Sequence, residues 1–140
     1  MGSLRIARGL AAGWLLSVGL SVIAVPALLL AQPLWHAVRL HLQQLGLVQT
    51  WISIAACVGL MVISRPKHAE TDERWAQGAL LIYVLGGLLS AIVLNYGVLP
   101  QFLARSHSLL GQIQVAVLAL LHVLCAVQTV RSLWRQPPVA

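Results

Sequence analysis

The side chains best suited to chemistry are one histidine and two cysteines inside long apolar stretches. His122 and Cys125 are spaced i, i+3, which places them on one face of a helix. Cys57 comes from an earlier stretch that runs in the same direction across the membrane. Because two thiols and an imidazole suit a soft metal such as Cu(I), these three residues predict a metal site. The alternative is that His122 makes a structural hydrogen bond between helices.

A second set of histidines has the geometry to hold a haem. His41 and His107 lie near the starts of two apolar stretches, and His122 lies deeper. Paired histidines on facing helices ligate haem iron axially, so the set predicts a b-type haem bundle. The run VLPQFLARSH that ends at His107 is similar to a step of the haem-binding HemJ-type protoporphyrinogen oxidases, with Gln101 where that family has Arg. Interfacial histidines without a ligand are the alternative.

These residues must be positioned by membrane-spanning helices. Hydrophobic residues make up 59% of the chain and charged residues 9%, which is too little charge for a soluble surface. About 20 apolar residues cross a bilayer core of about 30 Å as a helix. Four stretches without a charged residue meet that length, at 10–31, 45–64, 75–99 and 109–130. The sequence therefore predicts a single all-α membrane domain, a four-transmembrane-helix bundle.

The basic residues predict the orientation of the bundle. Seven of the nine Lys and Arg residues lie at the N-terminus, at the C-terminus or between the second and third stretches. Only Arg39 and Arg105 lie on the other side. By the positive-inside rule both termini face the cytoplasm, and we expect a multi-pass protein of a bacterial inner membrane. The basic residues form no stripe, so the pattern does not favour nucleic acid as a partner.

Small and weakly polar residues predict how the helices pack. In lipid, helices associate through such residues, because large apolar side chains gain little by leaving lipid. We expect helix-packing positions at Gly46, Thr50 and Ser53 in the second helix and at Gly86 and Ser90 in the third. The stretches contain no carboxylate, which argues against proton- or cation-coupled transport.

A weak repeat links the two halves of the chain. Pro26 and Pro100 each lie near the outer end of a helix, followed by an apolar patch and a histidine. The pattern predicts two pseudo-repeated hairpins, and chance similarity between leucine-rich segments is the alternative. The five tryptophans lie near the ends of the apolar stretches, as in an aromatic belt at the headgroup level.

The second half of the chain resembles a known membrane family. The run LNYGVLPQFLARSHSLL, followed by LALLHVLCAVQTVRSLW, is similar to the bacterial family of domain of unknown function 4149, the relatives of transmembrane protein 205. The family's proline step corresponds to Val98–Pro100, and its last-helix histidine to His122. Val123 and Gln128 depart from the family's Gly and Asn. The resemblance implies a fold more than an activity.

The function predicted from these patterns is non-enzymatic. We expect an accessory or scaffold subunit that meets other membrane subunits, or further copies of itself, inside the bilayer through its small-residue faces. The first alternative is a haem- or metal-binding bundle in electron transfer or haem metabolism. The second is a transporter of a small solute or a metal.

Overall fold

The computed structural model describes residues 2–31, 35–64, 79–104 and 108–135, and in these ranges the chain is almost wholly helical. A π-helical segment joins the third helix to the fourth without a break, so that the three form one continuous helix. The elements are α1 (Gly2–Ala31), α2 (Trp35–Ile63), α3 (Ala79–Ile92), the π segment (Val93–Val98), α4 (Leu99–Ala104) and α5 (Leu109–Trp134).

When α3, the π segment and α4 are counted as one continuous helix, the described part of the chain has four helices long and apolar enough to cross a membrane. They are Leu4–Val25, His36–Ile63, Leu80–Ala104 and Leu109–Trp134. Large apolar side chains also cover the outside: Leu16, Ile82 and Leu120 are more than half exposed. Water would disfavour such a surface, whereas lipid matches it. The predicted four-helix membrane bundle is confirmed, and the chain is a small multi-pass membrane protein.

The spans follow chain order around the bundle. α1 packs on α2 and α5, and α3 packs on the same two helices from the other side. We call the half of the bundle that contains the start of α1 and the end of α5 the termini half. In this half both helices bury one residue per turn. The buried set is Ala7, Ala11, Trp14 and Val18 on α1, with His122, Ala126, Thr129 and Leu133 on α5. Both sets follow i, i+4, i+7, i+11 spacing, one face of a helix.

α2 begins ten residues before the predicted start at residue 45. The prediction stopped at the polar run around Arg39, but Val38 and Leu42 in that run share a face and are buried. They pack with Leu103 of α4 in a small cluster at the other half of the bundle, which we call the distal half. α1 likewise begins at Gly2 rather than residue 10, because its Arg residues are compatible with a helix that continues past the hydrocarbon core.

Pro100 explains the π segment that precedes it. A proline has no N–H, and its ring crowds the carbonyl four residues earlier, so an α-helix cannot continue undisturbed. The backbone N–H of Leu99 instead bonds the carbonyl oxygen of Leu94, five residues back. This shifts the end of the span from the predicted residue 99 to Ala104. α1 passes Pro26 without such a segment, so the two halves of the predicted repeat differ there.

Arg8 connects the first turns of α1 to the last turn of α5. Its Nε donates a hydrogen bond to the carbonyl oxygen of Leu133 at 3.1 Å, and its guanidinium lies 5.7 Å from the ring centroid of Trp134. The last carbonyls of a helix have no partner within the helix, and a cation there also complements the helix dipole.

We expect Arg8→Gln to loosen the last turn of α5. The change removes the charged donor to Leu133 and the cation over Trp134, a loss of roughly 1 kcal/mol, or about fivefold faster amide exchange in that turn. Hydrogen–deuterium exchange in nanodiscs measures this. Arg5→Gln is the control, because it removes the same charge from an exposed position on the same helix. Equal exchange in the two variants would contradict this connection.

Candidate functional site

A buried hydrogen-bonded cluster lies at the centre of the bundle. The indole Nε1 of Trp14 donates to Ser53 Oγ at 3.2 Å and to His122 Nε2 at 3.1 Å. The Trp14 and His122 rings meet edge-on, with their centroids 5.7 Å apart. All three side chains, which we call the Trp14 cluster, are buried. They join α1, α2 and α5 near the middle of each helix.

The position of Trp14 corrects the predicted aromatic belt. Trp14 lies in the interior at mid-span rather than at the headgroup level. Trp51 also lies near the middle of its helix, although its side chain is exposed on the flank. Both were placed near an interface because the predicted helices began about ten residues too late. Trp134 does lie at the end of its helix, while the side chain of Trp35 and all of Trp75 fall outside the described part.

Gly87 provides the space that the indole occupies. A Cβ added at Gly87 would overlap the six-membered ring of Trp14 and would lie 3.3 Å from Cys125 Cβ. The backbone of α3 therefore approaches both α1 and α5 at this point. Without a glycine here, Trp14 would not reach Ser53 and His122 in this position.

The hydrogen bonds of the Trp14 cluster assign the tautomer of His122. An indole N–H can only donate, so His122 Nε2 must accept and carry no hydrogen. The neutral ring then has its hydrogen on Nδ1. Ser53 Oγ lies 3.3 Å from the same Nε2 and 2.9 Å from the carbonyl oxygen of Gln49, so its hydrogen has an acceptor in either direction.

Two further polar side chains extend the cluster toward α1. Gln49 Nε2 donates to Ser53 Oγ at 3.3 Å, and Ser21 Oγ lies 3.1 Å from Gln49 Oε1. Ser21 Oγ also lies 3.0 Å from the carbonyl oxygen of Ser17. Since a hydroxyl has one hydrogen, it satisfies only one of these acceptors at a time. Gln49 therefore keeps hydrogen-bonding capacity for another molecule.

A cavity of about 540 Å³ lies beside this network in the distal half. All four spans contribute to its wall, which is mostly Val, Leu, Ala and Phe. Four polar side chains interrupt the apolar wall: Ser21, Gln49, Asn95 and His122. Small-molecule sites in proteins have volumes of about 300–1,000 Å³ and this same composition, an apolar wall with a few polar groups.

α1 and α5 bury less of their surface in the distal half than in the termini half. Past Val18, no described side chain of α1 is buried, and before His122 no side chain of α5 is buried. α2 keeps its buried face through Leu42 to Val38, where it meets Leu103. The cavity therefore lies where α1 and α5 pack loosely against α2, the π segment and α4.

Gly46 brings the π segment close to α2. A Cβ at Gly46 would lie 2.7 Å from Asn95 Oδ1 and 3.1 Å from a methyl group of Leu99. The widened π turn places Asn95 against this glycine and in the cavity wall. The small-residue stripe of α2 thus has two roles, close packing and formation of the cavity.

The other predicted packing positions are also in the interior. Thr50 and Ser53 are fully buried, and both return their hydroxyl to a carbonyl four residues earlier on α2. Ser90 is buried, and its hydroxyl bonds the carbonyl oxygen of Gly87. A Cβ at Gly86 would lie 3.2 Å from Cys125 Sγ, so α3 and α5 are close there.

The structure does not assemble the predicted metal ligands into a site. Within the residues that it describes, no three His, Cys, Asp or Glu side chains form a group that could hold a metal ion. Cys57 and Cys125 are free thiols. His122 Nε2 is directed instead at Trp14 and Ser53, which supply the structural hydrogen bonds that were the alternative.

The two predicted haem ligands that the structure describes, His41 and His122, lie in different surroundings. His41 is exposed, its Nδ1 lies 2.7 Å from the carbonyl oxygen of Ala37 on its own helix, and it is not in the cavity wall. His122 is buried in the Trp14 cluster. His107 lies outside the described residues. The haem therefore stays a prediction that rests on the histidine pattern.

The sequence patterns missed Trp14, Gln49 and Ser21 as site residues. The signal for Gln49 was its place between Gly46 and Ser53, one turn from each on α2. Comparisons of the chain with protein-family models, with curated proteins and with solved structures find no match.

Proposed function

We propose that this small membrane protein binds a lipophilic molecule in the cavity beside His122. The carrying observation is an apolar cavity of about 540 Å³ inside the bundle, with four polar side chains in its wall. Packing alone does not require such a space, since protein interiors are normally filled to a high density. A ligand dissolved in the bilayer would enter between α1 and α5, where neither helix has buried side chains.

The test uses a hydrocarbon that fits the apolar wall. We expect 2,3-dimethylnaphthalene to bind saturably, at one site per chain, to nanodiscs that contain the protein. Empty nanodiscs of the same lipid correct for simple partition into the bilayer. Equilibrium dialysis followed by extraction and absorbance measures the excess bound.

Ala119→Phe should weaken this binding strongly. Ala119 is in the cavity wall one turn before His122, so a phenyl ring there fills the space and weakens binding by roughly tenfold or more. The matched control is Ala116→Phe, the same change at an exposed position on the same helix. Non-saturable uptake by the wild type, or equal binding in the two variants, would contradict the proposal.

An accessory role inside a larger membrane complex is the second candidate. Gly9 and Gly13 are exposed on α1, and among the described residues no atom of another helix comes within 4 Å of a Cβ placed on either. This spacing is the one by which membrane helices associate closely. A partner subunit or a second copy would pack there without closing the cavity, so the two functions are compatible.

We further propose a location in the cell and a family for this protein. We place the protein in a bacterial inner membrane with both termini in the cytoplasm, on the strength of its basic residues. We also propose kinship with the relatives of transmembrane protein 205, which rests on the shared proline step at Val98–Pro100 and on the last-helix His122.

A further inference from the structure

We propose that the ligand is a neutral lipophile with a carbonyl group, and that His122 Nδ1–H donates a hydrogen bond to that carbonyl. This inference rests on the proposed binding function. It adds the chemical class of the ligand and the atom that recognises it.

The first step is the direction of the His122 ring. Nε2 accepts from the Trp14 indole, so the hydrogen of the neutral ring is on Nδ1. Within the described residues, Nδ1 has no hydrogen-bond partner, whereas His41 directs its own Nδ1 to a backbone carbonyl. Trp14 thereby fixes His122 as a hydrogen-bond donor on its other side.

The second step is burial. The side chain of His122 is only 4% exposed, and it forms part of the cavity wall. A buried donor without an acceptor is unfavourable, and in hydrocarbon no water is at hand to supply one. A ligand with an acceptor at this point would satisfy the donor, whereas a pure hydrocarbon would leave it unpaired.

The third step is charge. None of the wall residues is charged, and the polar ones are a serine, two amides and the neutral imidazole. A carboxylate or phosphate buried there would have no cation to pair with, which is unfavourable. A ketone, quinone or ester carbonyl accepts a hydrogen bond without carrying charge. The wall therefore favours a neutral carbonyl compound over a fatty acid or another anion.

The test compares two probes of nearly the same shape. One is 2,3-dimethyl-1,4-naphthoquinone, and the other is the 2,3-dimethylnaphthalene that tests the binding function. The two methyl groups hinder addition of Cys57 or Cys125 to the quinone ring. With each probe corrected by empty nanodiscs, we expect the quinone to bind the wild type about fivefold more tightly, the ratio that one neutral hydrogen bond supplies.

Variants of His122 assign the donor. His122→Leu should bind both probes equally, because leucine has a volume similar to that of histidine but no N–H. His122→Gln keeps an N–H donor and should retain part of the preference. Infrared spectroscopy gives a readout on the wild type itself, since a hydrogen bond lowers the carbonyl stretching frequency of the bound quinone below its value in empty nanodiscs.

The outcomes separate this inference from the proposed function. If neither probe binds saturably, both fail. If both bind with equal affinity and the carbonyl frequency does not fall, the cavity binds lipophiles but the carbonyl inference is wrong. If the preference persists in His122→Leu, the donor is another wall residue and the assignment to His122 is overturned. Should His122→Leu not fold, the infrared shift in the wild type decides.

Discussion

Gly87→Ala should lower the free energy of unfolding by about 2–3 kcal/mol. The new Cβ would overlap the indole of Trp14, which is fully buried and held by two hydrogen bonds. Overpacking of a filled core costs typically 1–3 kcal/mol, and here it also disturbs the Trp14 cluster. Reversible unfolding by titration with a denaturing detergent, followed by circular dichroism, measures the change.

Gly13→Ala is the matched control for this prediction. It makes the same substitution in a membrane helix, but in the described part of the chain no atom of another helix lies within 4 Å of the added Cβ. We expect its stability to equal that of the wild type or to rise slightly, because alanine has the higher helix propensity. Equal destabilisation in the two variants would show that α3 does not approach Trp14 as closely as the structure has it.

Trp14→Ala should have the largest effect of any single truncation, about 3–5 kcal/mol. It empties the centre of the bundle and removes the indole N–H that bonds Ser53 and His122. Trp14→Phe reduces the first contribution, since it keeps a six-membered aromatic ring in the interior while it removes the N–H. We expect it to cost about 1–2 kcal/mol, the range for an unpaired buried acceptor. The same detergent titration applies.

Trp51→Ala controls for the loss of a tryptophan in a membrane helix. Trp51 lies near the middle of α2 but is 63% exposed on its outer flank. We expect a change within about 0.5 kcal/mol, as at other surface positions. A loss for Trp14→Ala no larger than that for Trp51→Ala would refute the central position of Trp14 in the fold.

The spans were predictable because the bilayer imposes a simple rule on them. Charge is excluded from the hydrocarbon core, so the gaps between charged residues give four helices directly. The helix starts were less predictable for the same reason. A polar run such as the one around Arg39 still forms a helix when Val38 and Leu42 share a buried face, and charge exclusion does not detect that.

The partners inside the bundle were harder to predict. His122 was recognised as the residue most in need of a partner, and a structural hydrogen bond was one of the two roles considered for it. Its partners Trp14 and Ser53 lie 108 and 69 residues away in sequence, so no local pattern connects them. Trp14 also fitted a common pattern, the interfacial tryptophan, that places it at the wrong depth. The cavity depends on how loosely the helices pack in the distal half, a property of the whole bundle rather than of any one segment.

Nitrogen NMR of the histidines tests the account most directly. In ¹⁵N-histidine-labelled protein in nanodiscs, the His122 signals are assigned by their loss in His122→Gln. We expect a neutral His122 ring with Nε2 unprotonated and Nδ1 protonated. We also expect the Nδ1 signal to move when 2,3-dimethyl-1,4-naphthoquinone is added to saturation. A hydrogen on Nε2, or His122 signals that do not respond to the quinone, would contradict the account.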